Sequence, residues 1–206
     1  MIDHPIVQQS FQIIDHEIGS HHFSPTEYAI IRRVIHSTAD FDFTQLMYFS
    51  PGVIEAAITA IGFGIPIITD VNMVKIGVQG MVKKTFDNPL FSAIEYAKDA
   101  LPQKTRTETG LLNIAQRFPH AIFVIGNAPT ALLSLCELVD QSVVNPAFVI
   151  GVPVGFVSVV ESKIALAKRS VPQIRVEGRK GGSPVAAAIL NALIILAWEQ
   201  MDSQKL

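Results

Sequence analysis

Residues 178–184 combine the features of an anion-binding loop. The stretch Gly-Arg-Lys-Gly-Gly-Ser-Pro follows a strand-like run and leads into a helix-like one. Cations, flexible glycine backbone and the N–H groups of a helix N-terminus together hold carboxylate or phosphate groups. We therefore expect Arg179 and Lys180 to bind an anion. Ordinary solvated surface charges are the alternative.

His36 is a candidate for proton transfer. It lies near the predicted end of a helix, where the helix dipole stabilises an imidazolium. An imidazole titrates near neutral pH, so the same group can give a proton and recover it. The residue type leaves two interpretations open, an acid–base catalyst or a charged helix cap. The His21-His22 doublet precedes a helix start, and we expect it in a solvated turn.

Two other turns that follow strand-like runs carry candidate ligand-binding residues. Asn127 and Thr130 lie in residues 126–130, and Gly155 lies in residues 151–156. Ligands of parallel sheets bind beyond the carboxyl ends of the strands. A glycine has no Cβ, so the backbone at Gly155 can approach a ligand closely. Turn and capping chemistry is the alternative for Asn127.

Alternating strands and helices position these residues. Short apolar runs predict buried strands at residues 66–70, 121–125, 148–150 and 173–176. Apolar spacing and the capping box formed by Ser24 and Glu27 predict helices between and around them. The helices are expected at residues 5–18, 24–36, 50–62, 73–79, 107–117, 129–139, 161–168 and 184–200. The order predicts an α/β fold with a mostly parallel sheet covered on both faces.

Composition excludes several classes of protein. Apolar residues make up 49% of the 206 residues and charged ones 17%, which excludes a disordered chain. The 16 basic and 18 acidic residues give a net charge of −2, so a nucleic-acid-binding role is not expected. Cys136 is the single cysteine, which excludes an intrachain disulfide and a cysteine-based zinc site. We expect one domain over residues 1–206.

Motifs for phosphate, metal and nucleophile sites are missing. The sequence has no P-loop, no complete dinucleotide fingerprint, no H-E-x-x-H pair and no G-x-S-x-G elbow. The first five residues lack the pattern of a secretory signal. The uncharged residues 141–160 contain turn residues, and the apolar run at 185–198 fits a buried helix better than a membrane span. We expect a soluble, cytoplasmic protein without a membrane segment.

Seven strings, in this order along the chain, resemble the precorrin-8X methylmutase family, also called cobalt-precorrin-8 methylmutases, of cobalamin biosynthesis. The strings are VIHST at residues 34–38, FSP at 49–51, TR at 105–106, IGNAPTAL at 125–132, GVPVGFV at 151–157, ESK at 161–163 and GRKGGS at 178–183. The resemblance extends from Ser10 to about Leu193. It implies a Rossmann-like three-layer sandwich and a homodimer with active sites near the interface.

The resemblance also implies a reaction. Family members move a methyl group from C-11 to C-12 of a corrin precursor by a 1,5-sigmatropic shift, without a methyl donor. The substrate is precorrin-8X or cobalt-precorrin-8, and the product is hydrogenobyrinate or cobyrinate. The resemblance gives no protein-bound metal or organic cofactor. It makes hand-over to neighbouring enzymes of the pathway an expected partnership.

By the same resemblance, His36 is the catalytic residue, which protonates the macrocycle at a ring nitrogen and takes the proton back. Substrate-binding roles follow for Ser10 and for Arg106, whose guanidinium can fork a carboxylate. The other expected substrate-binding residues are Thr105, Asn127, Thr130, Gly155, Lys163 and Arg179. The alternatives are a core hydroxyl for Ser10 and solvated surface charges for the cations.

Two other functions stay open on the sequence. A non-catalytic carrier could bind a corrinoid and hand it to the next enzyme, and the histidine in its motif argues against this. A generic nucleotide-binding enzyme of Rossmann type would rest on fold alone, and the missing phosphate motifs argue against it. The sequence does not decide between the metal-free and the cobalt-containing substrate.

Overall fold

A six-stranded sheet is the centre of the fold in the computed structural model, which describes residues 4–203. The strands are β1 (Met47–Phe49), β2 (Ile67–Thr69), β3 (Leu90–Ser92), β4 (Ile122–Ile125), β5 (Phe148–Gly151) and β6 (Gln173–Val176). Their order in the sheet is β1-β6-β5-β4-β2-β3. Neighbouring strands are parallel except β1, which runs antiparallel to β6.

Helices cover both faces of this sheet. They are α1 (Pro5–Ile18), α2 (Pro25–Thr38), α3 (Phe43–Leu46), α4 (Val53–Gly62), α5 (Asn72–Lys84), α6 (Arg106–Ala115), α7 (Pro129–Asp140), α8 (Val159–Ala167) and α9 (Ser183–Ser203), with a 3₁₀ turn over Ala93–Tyr96. Successive side chains of a strand point to opposite faces. Ile67 therefore packs with α2, α4, α5 and α9, and Ile68 packs with α6, α7 and α8. This three-layer arrangement confirms the predicted fold class.

Helix α9 is the central helix of one layer. By length and composition it could cross a membrane, yet 56% of its most apolar window is buried inside the protein. It lies against α2, α4 and α5, and side chains such as Ile189 and Leu193 are fully buried. This packing is that of the core helix of a soluble protein, as predicted for the apolar run at residues 185–198.

The four predicted strands are confirmed as β2, β4, β5 and β6, whereas β1, β3 and α3 were not predicted. Strands β1 and β3 have three residues each and form the two edges of the sheet. Strand β2 has three residues as well, but all of them are buried, whereas β1 and β3 are partly exposed and leave a weaker apolar signal. Helix α5 continues past the predicted end at residue 79, because Gly80 does not interrupt it.

The predicted boundaries hold at most other helices. The capping box of Ser24 and Glu27 is present at the start of α2, with both side-chain-to-backbone hydrogen bonds formed. The prediction of one domain over residues 1–206 includes residues 1–3 and 204–206, which lie outside the described residues. Residues 1–3 also belong to the N-terminal segment that lacks the pattern of a secretory signal, so this part of that prediction lies outside the described residues as well.

Close packing of α6 against the 3₁₀ turn depends on Gly110. A Cβ at this position would lie 1.9 Å from the carbonyl oxygen of Ala93. We expect Gly110→Ala to lower the free energy of unfolding by about 3 kcal/mol, because the two backbones must separate. Gly80→Ala on α5 is the matched control, since a Cβ there meets nothing within 4 Å. It should stabilise the helix by up to about 1 kcal/mol.

Urea unfolding of both variants and the parent checks this prediction. The midpoint should fall for Gly110→Ala and stay level or rise for Gly80→Ala. Equal changes in the two variants would contradict the close contact between α6 and the 3₁₀ turn.

Candidate active site

The loops that follow β4, β5 and β6 meet at the carboxyl edge of the sheet. These strands are parallel neighbours, so their carboxyl ends lie side by side. The N–H of Gly155 donates to the carbonyl of Arg179 over 3.3 Å, and the N–H of Gly182 donates to the carbonyl of Val152 over 2.8 Å. The glycine-rich segments after β5 and β6, which the sequence singled out separately, are thus one surface.

A buried carboxylate, Asp70, holds the loop after β4. It follows β2 and is fully buried. One oxygen accepts the N–H of Gly126 over 3.1 Å, and the other accepts the N–H groups of Asn127 and Ala128, both over 2.7 Å. Burial raises the pKa of Asp70, while these hydrogen bonds favour the ionised form and oppose the rise. Sequence analysis did not select Asp70, although a single acidic residue at the end of an apolar strand was a usable signal.

A buried cation, Lys163, holds the loop after β6. Its side chain lies inside the protein with 1% of the residue exposed. The ammonium donates to the carbonyl of Gly178 over 2.8 Å and to that of Lys180 over 2.6 Å. Burial lowers the pKa of Lys163 to about 8. Its ammonium is thus engaged with the protein backbone, which does not support the sequence expectation of a substrate-facing cation.

Two predicted threonines lie in contact at the start of α6. Thr105 caps this helix, because its hydroxyl accepts the N–H of Glu108 over 3.1 Å. The same hydroxyl lies 3.0 Å from the hydroxyl of Thr130, the second residue of α7. Arg106 follows as the first residue of α6, is exposed, and forms no salt bridge with any of residues 4–203. Asn127 is exposed close by in sequence.

The two residues expected to be closest to the chemistry, His36 and Ser10, are also in contact. The Ser10 Oγ lies 2.8 Å from the His36 Nδ1, across α1 and the last turn of α2. The edge of the Phe11 ring packs near the imidazole, with the ring centroids 5.5 Å apart. His36 is half-buried. With Nδ1 held by the hydroxyl, the Nε2 of the imidazole is the atom left for a ligand.

An ion-pair cluster connects the end of α2 to the loop after β6. The Lys180 ammonium lies 2.6 Å from the Asp40 carboxylate and 2.7 Å from that of Asp42. The hydrogen bond from Lys180 lowers the pKa of Asp40. Two carboxylates thus neutralise Lys180, and the neighbouring Arg179 is left exposed with its guanidinium 5.7 Å from the centre of the Phe156 ring.

Apolar side chains stand out from the same edge. Phe156 is 85% exposed and Val157 82% exposed, which is unusual for side chains of this size. Gly155 precedes them with φ of 138°, a conformation that side-chain-bearing residues avoid. An exposed aromatic ring beside an exposed cation suits a planar conjugated ligand that carries carboxylates.

The predicted residues therefore form three groups. They are Ser10 with His36; Thr105 with Arg106, Asn127 and Thr130; and Gly155 with Lys163 and Arg179. The ion pairs of Lys180 join the third group to the end of the helix that carries His36. The hydrogen bond from the N–H of Val152 to the carbonyl of Ile125 joins it to the loop of the second.

Removal of the negative charge at Asp70 tests the role of this carboxylate. In Asp70→Asn the amide group must face backbone N–H groups with its own donors. We expect the free energy of unfolding to fall by about 2 kcal/mol, because a buried donor is left without an acceptor. Asp99→Asn, at an exposed position, should change it by less than about 0.5 kcal/mol. Urea unfolding at constant pH measures both, and equal stability of the two variants would contradict the account.

Known proteins of one family match nearly the whole chain. The family profile of precorrin-8X methylmutases matches residues 5–196. A cobalt-precorrin-8 methylmutase of Synechocystis is 53% identical over 97% of this chain and 98% of its own length, and a precorrin-8X methylmutase of Sinorhizobium is 36% identical over 91% and 92%. The crystal structure of the Thermus thermophilus precorrin-8X methylmutase has a TM-score of 0.86, with 40% identity, 95% coverage of this chain and 96% of the other. The chain belongs to the precorrin-8X methylmutase family.

Proposed function

We propose that this chain converts cobalt-precorrin-8 into cobyrinate by moving a methyl group from C-11 to C-12 of the macrocycle. Membership of the family makes it a methyl-shifting isomerase of cobalamin biosynthesis. The cobalt-containing substrate is favoured because the Synechocystis relative, at 53% identity, carries that name, whereas the Thermus thermophilus and Sinorhizobium relatives, named for the metal-free substrate, are 40% and 36% identical.

The observation that carries the mechanism is the contact of Ser10 with His36 Nδ1. In the imidazolium form, the Nδ1–H donates to the Ser10 hydroxyl, and the Nε2–H is the proton that can be transferred. After transfer the imidazole is neutral, keeps its Nδ1–H on Ser10, and has a free lone pair on Nε2 to recover the proton. The serine hydroxyl can accept this Nδ1–H, so the contact accommodates the tautomer that a reversible proton donor needs.

Protonation makes the conjugated system electron-poor and lowers the barrier to migration of the methyl group. The family resemblance implies protonation at a ring nitrogen; in the cobalt form these nitrogens are bound to the metal, so for this substrate we place the proton from His36 on a carbon of the conjugated system instead. The methyl group leaves C-11 and bonds to C-12 within one molecule, and the proton then returns to Nε2. No donor, oxidant or reductant is consumed.

Charge complementarity orients the substrate on the carboxyl edge. The substrate carries several carboxylates, while the protein has a net charge of −2, so the cations must be concentrated locally. Arg106 and Arg179 are the exposed cations beside the candidate loops. The hydroxyls of Thr105 and Thr130 and the side chain of Asn127 add neutral hydrogen-bonding groups. The exposed face of Phe156 is suited to stack on the planar macrocycle.

The same surface is suited to a homodimer. Exposed apolar side chains of the size of Phe156 and Val157 are usually covered in a working assembly. We propose a cytoplasmic homodimer whose subunits meet near this edge, and hand-over of the product to the next enzyme of the pathway. Sedimentation of the purified chain at micromolar concentration measures the oligomeric state.

The proposed function is tested by mixing the purified chain separately with cobalt-precorrin-8 and precorrin-8X and following the visible spectrum. We expect the spectrum of cobyrinate to form with the cobalt substrate at a rate well above that for the metal-free one. Faster conversion of precorrin-8X would overturn the choice of substrate. Tight binding without conversion of either compound would support a carrier instead.

Replacement of His36 tests the proton-transfer step. We expect His36→Ala to lower kcat at least ~100-fold, because a positioned acid–base group contributes a factor of this order. The control is His16→Ala, which removes an exposed histidine from α1 and should leave kcat unchanged. Circular dichroism checks that both variants are folded. Full turnover by a folded His36→Ala protein would remove this residue from the mechanism.

Replacement of Arg106 tests the binding of a substrate carboxylate. A charge-assisted hydrogen bond contributes about 1.5–3 kcal/mol, so Arg106→Ala should raise KM by a factor of about 10 or more. Lys83→Ala removes the same charge from the last turn of α5 and should leave KM unchanged. Steady-state kinetics of the two variants at one ionic strength provide the comparison. An equal effect of both would indicate a general loss of charge.

A further inference from the structure

Lys163 is a buried cation without an acidic partner at hydrogen-bond distance. It lies in α8, and it forms no salt bridge with any of residues 4–203. The carboxylate of Glu177 acts on it through space but is itself paired with Arg175. Lysine is almost never fully buried unless it is paired. The position therefore calls for an explanation that the proposed substrate contacts do not supply.

Its two hydrogen bonds organise residues 178–182. The ammonium donates to the carbonyls of Gly178 and Lys180, which flank Arg179. The carbonyl of Arg179 between them accepts the N–H of Gly155. Three consecutive carbonyls are therefore drawn toward the protein. In the described part of the chain, no acceptor takes a hydrogen bond from the backbone N–H groups of residues 178–181.

Backbone packing gives this loop little room to rearrange. Gly181 has a φ of 147°, and a Cβ there would lie 2.3 Å from the carbonyl oxygen of Val152. The loop also carries Lys180, whose ion pairs with Asp40 and Asp42 connect it to the end of α2. A change in the conformation of the loop backbone therefore shifts Arg179 and also disturbs the ion pairs beside the end of α2, the helix that carries His36.

We propose that Lys163 is a positioning residue, whose ammonium turns the carbonyls of residues 178 and 180 inward and so presents Arg179 and the free N–H groups to a carboxylate of the substrate. Outward N–H groups and a cation form a concave anion site. The role in substrate binding rests on the proposed function. The role in loop order does not, because it follows from the carbonyl contacts alone.

Limited trypsin digestion of Lys163→Met reports loop order without any substrate. Methionine fills a similar buried volume but has no donors. We expect cleavage after Arg179 and Lys180 to become at least tenfold faster than in the parent, with cleavage at other sites unchanged. Lys168→Met, an exposed change one residue beyond α8, is the control; it loses its own trypsin site at residue 168 but should be cleaved after Arg179 and Lys180 at the rate of the parent. Unchanged cleavage at the loop in a folded Lys163→Met protein would overturn the proposal.

Steady-state kinetics with cobalt-precorrin-8 then separate positioning from general damage. We expect Lys163→Met to raise KM about tenfold while kcat stays within about threefold. A fall in kcat with unchanged KM, in step with a lower melting temperature, would indicate a structural role only and overturn the proposal.

Lys163→Gln keeps two N–H donors on a shorter side chain, and we expect both readouts to lie between those of Lys163→Met and the parent. If Lys163→Met does not fold, Lys163→Gln decides by the same criteria. Lack of turnover by the parent would refute the proposed function and leave the digestion result standing.

Discussion

Two buried charges of opposite sign hold the loops at the carboxyl edge of the sheet. Loop backbone that leaves a strand carries polar groups that the sheet no longer satisfies, and an unpaired buried group costs about 1–3 kcal/mol. Asp70 accepts N–H groups of residues 126–128 after β4, and Lys163 donates to two carbonyls after β6. Each loop is therefore held by a charge that suits its backbone groups: the carboxylate accepts N–H groups, and the ammonium donates to carbonyls. The candidate site depends on both of these buried charges.

The helix that carries His36 is connected to this edge through surface ion pairs. Lys180 binds Asp40 and Asp42, which follow the end of α2, while Ser10 on α1 holds the ring of His36. Exposed ion pairs contribute little stability singly. Their value here is geometric, because they fix the position of the end of α2 relative to the loop after β6, which carry the proposed proton donor and the proposed anion site. In the proposed function, this spacing determines which part of the large macrocycle faces the imidazole.

Most of the fold and part of the candidate site could be predicted from the sequence. Buried apolar strands and capped helices are encoded locally, so β2, β4, β5, β6 and the start of α2 were predicted. The edge strands β1 and β3 were missed because their short, partly exposed runs leave no periodic signal. His36 and Ser10 came from the family resemblance and proved to be in contact. The bonds made by Lys163 could not be predicted, because the carbonyls that hold it lie at least 15 residues away in the chain.

The most direct test of the account is a crystal structure of the chain with bound cobyrinate, read for the distance between His36 Nε2 and the conjugated ring. We predict the macrocycle at the carboxyl edge beside Phe156, with a ring carbon within about 3.5 Å of Nε2, the spacing of a near-attack geometry. One carboxylate should lie on residues 178–182. A macrocycle bound elsewhere, for example in the apolar cavity lined by Phe63, Phe86 and Met201, with His36 untouched, would contradict the account.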